Sequence, residues 1–308
     1  MARRFDFFSY LKLFRFPLVF TAIADSATGY LICTGLEEIN ALTMGLLAAA
    51  SAGLYFFGMA LNDIVDRDRD QAIAPTRVLP SGRLSLKAAV VATALVLGGS
   101  LAAVIAIPGT PILQRLGTWG AVVFFIVAYN VFFKVPPTMG LVRAFNLLLG
   151  VVAARRIGFD IAGQPWQYAM MALPAFVYVT SLTYVSTLED GGPVRNRLMV
   201  GTLLMTAGAW LAALAGPAVN AVVFFSSFSL NQIWPVVFAL ALSGWIQYRK
   251  RGAVDKKGIM LLVRDGVGGI ILLNATLLAS FGGVIEAFFI INLLIPAALS
   301  VAMFKRFA

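Results

Sequence analysis

Residues 61–70 read LNDIVDRDRD, with four aspartates, one asparagine and two arginines in ten positions. On a continuing helix Asn62, Asp66 and Asp70 fall at i, i+4 and i+8, and Asp63, Asp66 and Asp70 at i, i+3 and i+7. Residues three and four apart share a helix face, so each set lines up about one turn apart while Asp68 points elsewhere. Carboxylates crowded on one face repel one another. Water relieves the repulsion, and so does a divalent cation placed among them. Carboxylate and amide oxygens suit Mg2+, which binds through a few protein oxygens and commonly shares substrate phosphates. The competing account is a solvated helix end with Arg67 and Arg69 as partners of the acids.

A second acidic pair, Glu189 and Asp190, precedes GGPVRNR. Gly191, Gly192 and Pro193 are strong breakers, so this is a helix stop on one reading. On the other, the pair meets the first cluster across a bundle, with Arg195 and Arg197 contacting phosphate. Asp25 lies near the middle of an apolar run, where a charge costs on the order of 3 kcal/mol, which predicts a cavity or a partner beside it. In YNVFFKVPPTMGLVRAFNLLLG, Arg143 and Asn146 are i, i+3 on one helix face, and Lys134 is either a snorkelling loop lysine or part of a site.

These groups need elements to hold them, and the composition says which. Of 308 residues 60% are hydrophobic and 12% charged, where a soluble domain carries about 25% charged residues. The apolar residues come in runs long enough for a bilayer. The reading is an all-α, polytopic transmembrane bundle forming one domain over 1–308. Spans are predicted at about 13–34, 42–62, 86–107, 117–133, 140–154, 168–187, 198–216, 232–247, 259–281 and 285–304, with 217–230 ambiguous. The basic stretch before the first run does not look like a cleaved signal peptide.

The net charge of +10 fits this class better than nucleic-acid binding. With ten spans and the N-terminus as reference, 19 of the 24 basic residues fall on its side, beginning with Arg3 and Arg4 and ending with Lys305 and Arg306. Only Arg115, Arg155 and Arg156 fall opposite, and Arg143 and Arg264 lie inside spans. That bias makes the N-terminal side cytoplasmic and turns both acidic clusters toward the cytoplasm. There is no His and one Cys, Cys33, which excludes a His/Cys metal site and an internal disulfide. Any metal is a hard cation held by oxygen.

With these residues in view, Asn62 to Asp70 followed by TRVLPSGRLS resembles the UbiA superfamily of intramembrane prenyltransferases. The family's RPLPSG loop appears from Arg77 to Gly82 with Val78 as the one departure. Arg15-Phe16-Pro17 is similar to the Arg-x-Pro that opens the family's first helix, and Tyr129, Lys134, Arg143, Asn146 and Gly150 form a similar pattern. The resemblance covers roughly residues 13–200. It implies about nine helices around a central cavity in which two aspartate-rich motifs bind a prenyl diphosphate through Mg2+. Carried onto this chain, Asn62, Asp66 and Asp70, with Asp63 beside them, hold metal. Glu189 and Asp190 form the second site, with Asp66, Asp70 and Asp190 central to the chemistry. Arg77, Lys134, Arg143, Arg195 and Arg197 face the diphosphate, and Asp25 and Asn146 line the cavity. The second DxxxD departs, with Asp190 in its first position and Val194 in its second, which is similar to the EboC-type UbiA-like branch. The expected reaction is Mg2+-assisted ionisation of an isoprenyl diphosphate and transfer to an unidentified acceptor. The alternatives are cyclisation without an acceptor, or a non-catalytic lipid-binding or transport role.

Overall fold

The computed structural model describes residues 6–154, 165–192, 194–219 and 230–306. Arg3, Arg4, Arg155, Arg156, Pro193 and most of the ambiguous 217–230 segment lie outside the described residues, as do the side chains of Asp190, Lys305 and Arg306. Among the described residues all regular structure is helical. Nine helices there are long and apolar enough to cross a bilayer.

A short amphipathic helix, α1 (Phe7–Leu13), is capped by Asp6, whose side chain accepts from the Ser9 amide. A 3-10 turn, Phe16–Leu18, leads into α2 (Val19–Thr34). Asn40 caps α3 (Ala41–Val65), and Asp66 closes it before the short α4 (Arg67–Ile73). The continuing helix expected through the acidic run is therefore two helices. Asp66 has ψ near 2°, which bends the chain, yet the amides of Asp66 and Asp70 still reach Asn62 and Asp66 carbonyls at 2.9 and 2.8 Å. The face shared by Asn62, Asp66 and Asp70 is bent but kept in helical register.

Ser85 caps α5 (Leu86–Ala106), and α6 (Ile112–Val127) runs on into a π-helical turn, Ala128–Phe132. α7 (Pro136–Ala153) starts four residues before the predicted 140, because Pro136 and Pro137 fit a first turn whose N–H groups have no intrahelical partner. Then come α8 (Pro165–Ser186), the single turn α9 (Leu188–Gly191) and α10 (Arg195–Val219). The predicted span at 232–247 is a helix, α11 (Ile233–Arg251), but its charged last turn keeps it out of the nine. α12 (Lys256–Ser280) is one of the nine, and the last span is two helices, α13 (Val284–Ile291) and α14 (Leu294–Arg306).

α12 packs on α2, α8, α10 and α11, α7 packs on α2, α6 and α8, and α3 packs on α2 and α5. α2 and α7 cross in close backbone contact. A Cβ at Gly29 would overlap the Leu147 carbonyl, and one at Gly150 would overlap the Ser26 carbonyl. Without hydrophobic driving force between helices in lipid, small residues that let backbones touch are what hold such a contact. Nine residues past Lys256 on α12, Asp265 meets Arg249 of α11 at 2.5 Å and its neighbour Arg264 at 2.9 Å. Arg264, inside a predicted span, thus has its counter-charge beside it.

Candidate active site

A cavity of about 350 Å3 opens between these helices. Its lining includes Asn62 from the end of α3, Glu189 from α9 and Arg15 from the turn before α2. Ser51, Arg143 and Asn146 also line it. Asn62 and Ser51 are eleven residues apart on α3, so the two polar groups are separated by about 16 Å along the helix. Most of the lining between them is apolar, with Tyr55 of α3 and Tyr129 and Asn130 of the π turn among the exceptions. A π turn inside an α-helix frequently marks a functional site.

At the acidic end, three of the four carboxylates of the first cluster each meet a different base. Asp63 pairs with Arg15 at 3.1 Å, Asp66 with Lys134 from the α6–α7 connection, and Asp70 with Arg77 from the loop after α4. The Asp63 and Asp66 pairs join residues 48 and 68 positions apart, and the Asp70 pair residues seven apart. Asp68 is exposed, as the face argument predicts. The loop carrying Arg77 is pinned by Val78, Leu79 and Leu84, which are buried with Leu13, Ala60 and Ala89. It folds back onto the acidic helix end, where Arg77 reaches Asp70.

Arg15 is the sole described non-glycine residue with positive φ, at 45°. Its carbonyl accepts from the Tyr55 hydroxyl at 3.3 Å. Backbone strain of this kind persists only where surrounding contacts impose it, and it gathers at functional sites. The sequence motif pointed to Arg15 as a helix opener but not as a partner of the acids.

At the inner end, Asp25 is fully buried and lies 3.0 Å from Arg143. Asn274 of α12 donates to Asp25 Oδ1 at 2.8 Å, and Asn146 donates to Asp25 Oδ2 at 3.4 Å and to the Ala22 carbonyl at 2.8 Å. Ser51 donates to Asn146 Oδ1 at 2.7 Å. The intramembrane aspartate therefore has the partner that its cost demanded, and that partner is Arg143. This places Arg143 on Asp25 rather than among the bases that hold the acidic cluster. Asn274 was missed, although a lone asparagine inside an apolar run carries the same signal as Asp25 did.

The second cluster behaves in part as a helix stop: Gly192, with φ 80°, ends α9. Glu189 nonetheless lines the cavity, so one member of each acidic cluster reaches the same chamber. The Asp190 side chain lies outside the described residues. Arg195 and Arg197 are exposed at the start of α10 and do not line the cavity.

Carboxylate and amide oxygens are the donor set that Mg2+ prefers, so the acidic end fits the metal in kind. Among the described residues no three acidic side chains converge on one point, because Asp63, Asp66 and Asp70 are each held by a different base.

With this geometry in hand, comparison with known proteins is decisive on one point. The model of the UbiA prenyltransferase family matches residues 19–259. The chain belongs to the UbiA prenyltransferase family. It is an integral, multi-pass membrane protein. Among solved structures, a UbiA homologue from Archaeoglobus fulgidus bound to GPP and Mg2+ aligns with a TM-score of 0.62 at 15% identity, over 92% of this chain and 99% of that one. A structure concerning digeranylgeranylglyceryl phosphate synthase in membranes aligns at 0.60 and 21% identity, over 90% and 98%. An apo UbiA homologue from Aeropyrum pernix K1 aligns at 0.58 and 15%, over 84% and 96%. At these identities the solved structures establish the shared UbiA fold. No curated protein sequence gives a significant match.

Proposed function

We propose that this UbiA protein ionises an isoprenyl diphosphate at the acidic end of its cavity, with Mg2+, and passes the prenyl group to an acceptor. The observation that carries the reading is the meeting of Asn62 and Glu189, one from each acidic cluster, at a chamber that is otherwise largely apolar. Family membership supports it, as do the GPP and Mg2+ held by the Archaeoglobus fulgidus homologue.

In this reading Asn62, Asp63, Asp66 and Asp70, with Glu189 and Asp190, would hold the metal. When bound, Mg2+ supplies neutralisation of the charge that builds on the departing pyrophosphate. Arg15, Arg77 and Lys134 exchange their carboxylates for phosphate oxygens as the substrate enters, since charge-assisted bonds to phosphate are strong and their side chains are already beside the acids. Arg195 and Arg197, at the start of α10, complete the phosphate set. The electron pair of the broken C–O bond leaves with pyrophosphate. The acceptor bonds the allylic carbon and releases a proton. Apolar walls keep water from quenching the cation, and Tyr55 and Tyr129 in the lining supply aromatic rings to shield it. Counted on ten spans, the basic bias of 19 residues to 3 supports a cytoplasmic orientation of the acidic end.

The test incubates the full chain with geranyl, farnesyl and geranylgeranyl diphosphates, with and without Mg2+, and reads pyrophosphate release and the mass of lipid products. Mg2+-dependent release with a prenylated acceptor is expected. A cyclic hydrocarbon or alcohol in its place identifies a terpene cyclase. No release from any of the three overturns catalysis and leaves a lipid-binding component.

A further inference from the structure

Two polar side chains in the wall of the cavity are unsatisfied. Arg143 is 7% exposed, and among the described residues its Nε and Nη2 have no hydrogen-bond partner, although Nε lies 3.0 Å from Asp25 Oδ2. Asn130 is 5% exposed, and its Oδ1 is likewise unpartnered while its Nδ2 donates to the Ile126 carbonyl at 2.8 Å. Both residues line the same chamber as Asn62 and Glu189. Buried polar atoms are almost always paired, and a guanidinium left short of acceptors in an apolar wall is costly. Arg143 is seven residues into α7, about 10 Å along the helix from Pro136. It is therefore set below the acidic end rather than within it.

The charge balance narrows what these atoms take. Asp25 already neutralises Arg143, and Asn146 and Asn274 spend their amide protons on Asp25 and on backbone carbonyls. The inner end thus holds an N–H donor to spare, Arg143 Nη2, without net positive charge. An anion entering there would lose its hydration with no net charge to compensate it. A neutral oxygen would gain a charge-assisted hydrogen bond from Arg143 at little electrostatic cost. Asn130 Oδ1 adds an acceptor for a hydroxyl proton on the same ligand.

The geometry points to a second subsite, built by Arg143 on its Asp25 support with Asn130 opposite in kind, that binds a neutral carbonyl or hydroxyl oxygen of a mostly apolar co-substrate. This rests on the prenyl-transfer reading, for which it names the class of acceptor: an uncharged, oxygen-bearing, lipid-soluble molecule rather than a carboxylate or phosphate.

The test uses three probes of one bicyclic skeleton: tetralin, its ketone α-tetralone, and a tetralin carboxylate. Dissociation constants are measured on the detergent-solubilised full chain by titration calorimetry, without any diphosphate. A hydrogen bond from a charged donor predicts that wild type binds α-tetralone about ten-fold or more tighter than tetralin, and also tighter than the carboxylate. In the doubly neutral variant Asp25→Asn/Arg143→Met, checked for fold by helical circular dichroism and monodisperse elution, the preference should fall below about two-fold. Equal binding of ketone and hydrocarbon by wild type overturns the subsite, and that result needs no variant. A preference that survives in the variant overturns Arg143 as the donor. Tighter binding of the carboxylate overturns the neutral class. Loss of the prenyl-transfer reading registers separately, as failure of wild type to release pyrophosphate, and leaves the ketone comparison as it was measured.

Discussion

Carboxylate–cation pairs stand at both ends of one cavity, and their surroundings differ sharply. At the acidic end the side chains of Arg15 and Lys134 are 40% and 39% exposed, while those of Asp63 and Asp66, which they hold, are 10% and 14% exposed. At the inner end the side chains of Arg143 and Asp25 are 8% and 0% exposed. A pair whose base stands in water is worth about 0–1 kcal/mol and exchanges partners readily. A buried pair is fixed, because removing one partner strands the other charge at a cost of about 3–5 kcal/mol. The same two functional groups thus serve as exchangeable contacts for an arriving diphosphate in one place and as a rigid support in the other.

The largest effect that separates the two ends is on stability. Arg143→Ala should destabilise the protein by about 3–5 kcal/mol in a denaturant titration, while Asp25→Asn/Arg143→Met recovers most of that loss. A loss under about 1 kcal/mol would make the inner pair no different from a surface pair. Next come Asp66→Asn and Asp70→Asn, each expected to slow pyrophosphate release about a hundred-fold, or about 2.7 kcal/mol of activation free energy. Their stability should stay within about 1 kcal/mol of wild type. Large unfolding in either variant would mean the acidic end is structural. Lys134→Met and Arg77→Gln should raise the KM for geranyl diphosphate about ten-fold, the loss of one charged hydrogen bond. An unchanged KM removes them from the phosphate set.

Smaller still is the second cluster. Glu189→Gln/Asp190→Asn keeps shape and an oxygen acceptor but removes two charges, so the Mg2+ needed for half-maximal release should rise about several-fold, since charge count tunes such sites. Superimposable titrations would leave only the first cluster holding metal. Least affected is Asp68→Ala, whose exposed side chain lies off the shared face. Its turnover should stay within about two-fold, an energy difference near the thermal scale.

The fold was legible because lipid writes long apolar runs that periodicity cannot disguise, and each predicted span corresponds to a helix or a pair of helices. What the runs could not show was where a helix bends. Asp66 continues the hydrogen-bond register of α3 while leaving its dihedrals, and no residue there is a breaker. The acids of the site stood out for the same reason that Asp25 did: charge is rare in such a chain. Their partners were harder. Arg15, Lys134 and Arg77 are scattered from the first turn to the α6–α7 connection, and only tertiary packing brings each to a different aspartate. Arg143 was visible as an intramembrane base, but its attachment to Asp25 depends on the approach of α2 to α7, which the spacing of charges does not encode.

The glycine contact between those two helices also limits how this region can change over evolutionary time. Gly29 stands one turn beyond Asp25 on α2, and Gly150 one turn beyond Asn146 on α7. The backbone contact and the polar side chains therefore share one stripe on each helix. Inserting or deleting a single residue inside either segment would rotate everything beyond it by about 100°, breaking the contact and the Asp25–Arg143–Asn146 set together. Substitutions can accumulate around the stripe, but its length is frozen, so related chains that keep the inner pair should align through both segments without gaps.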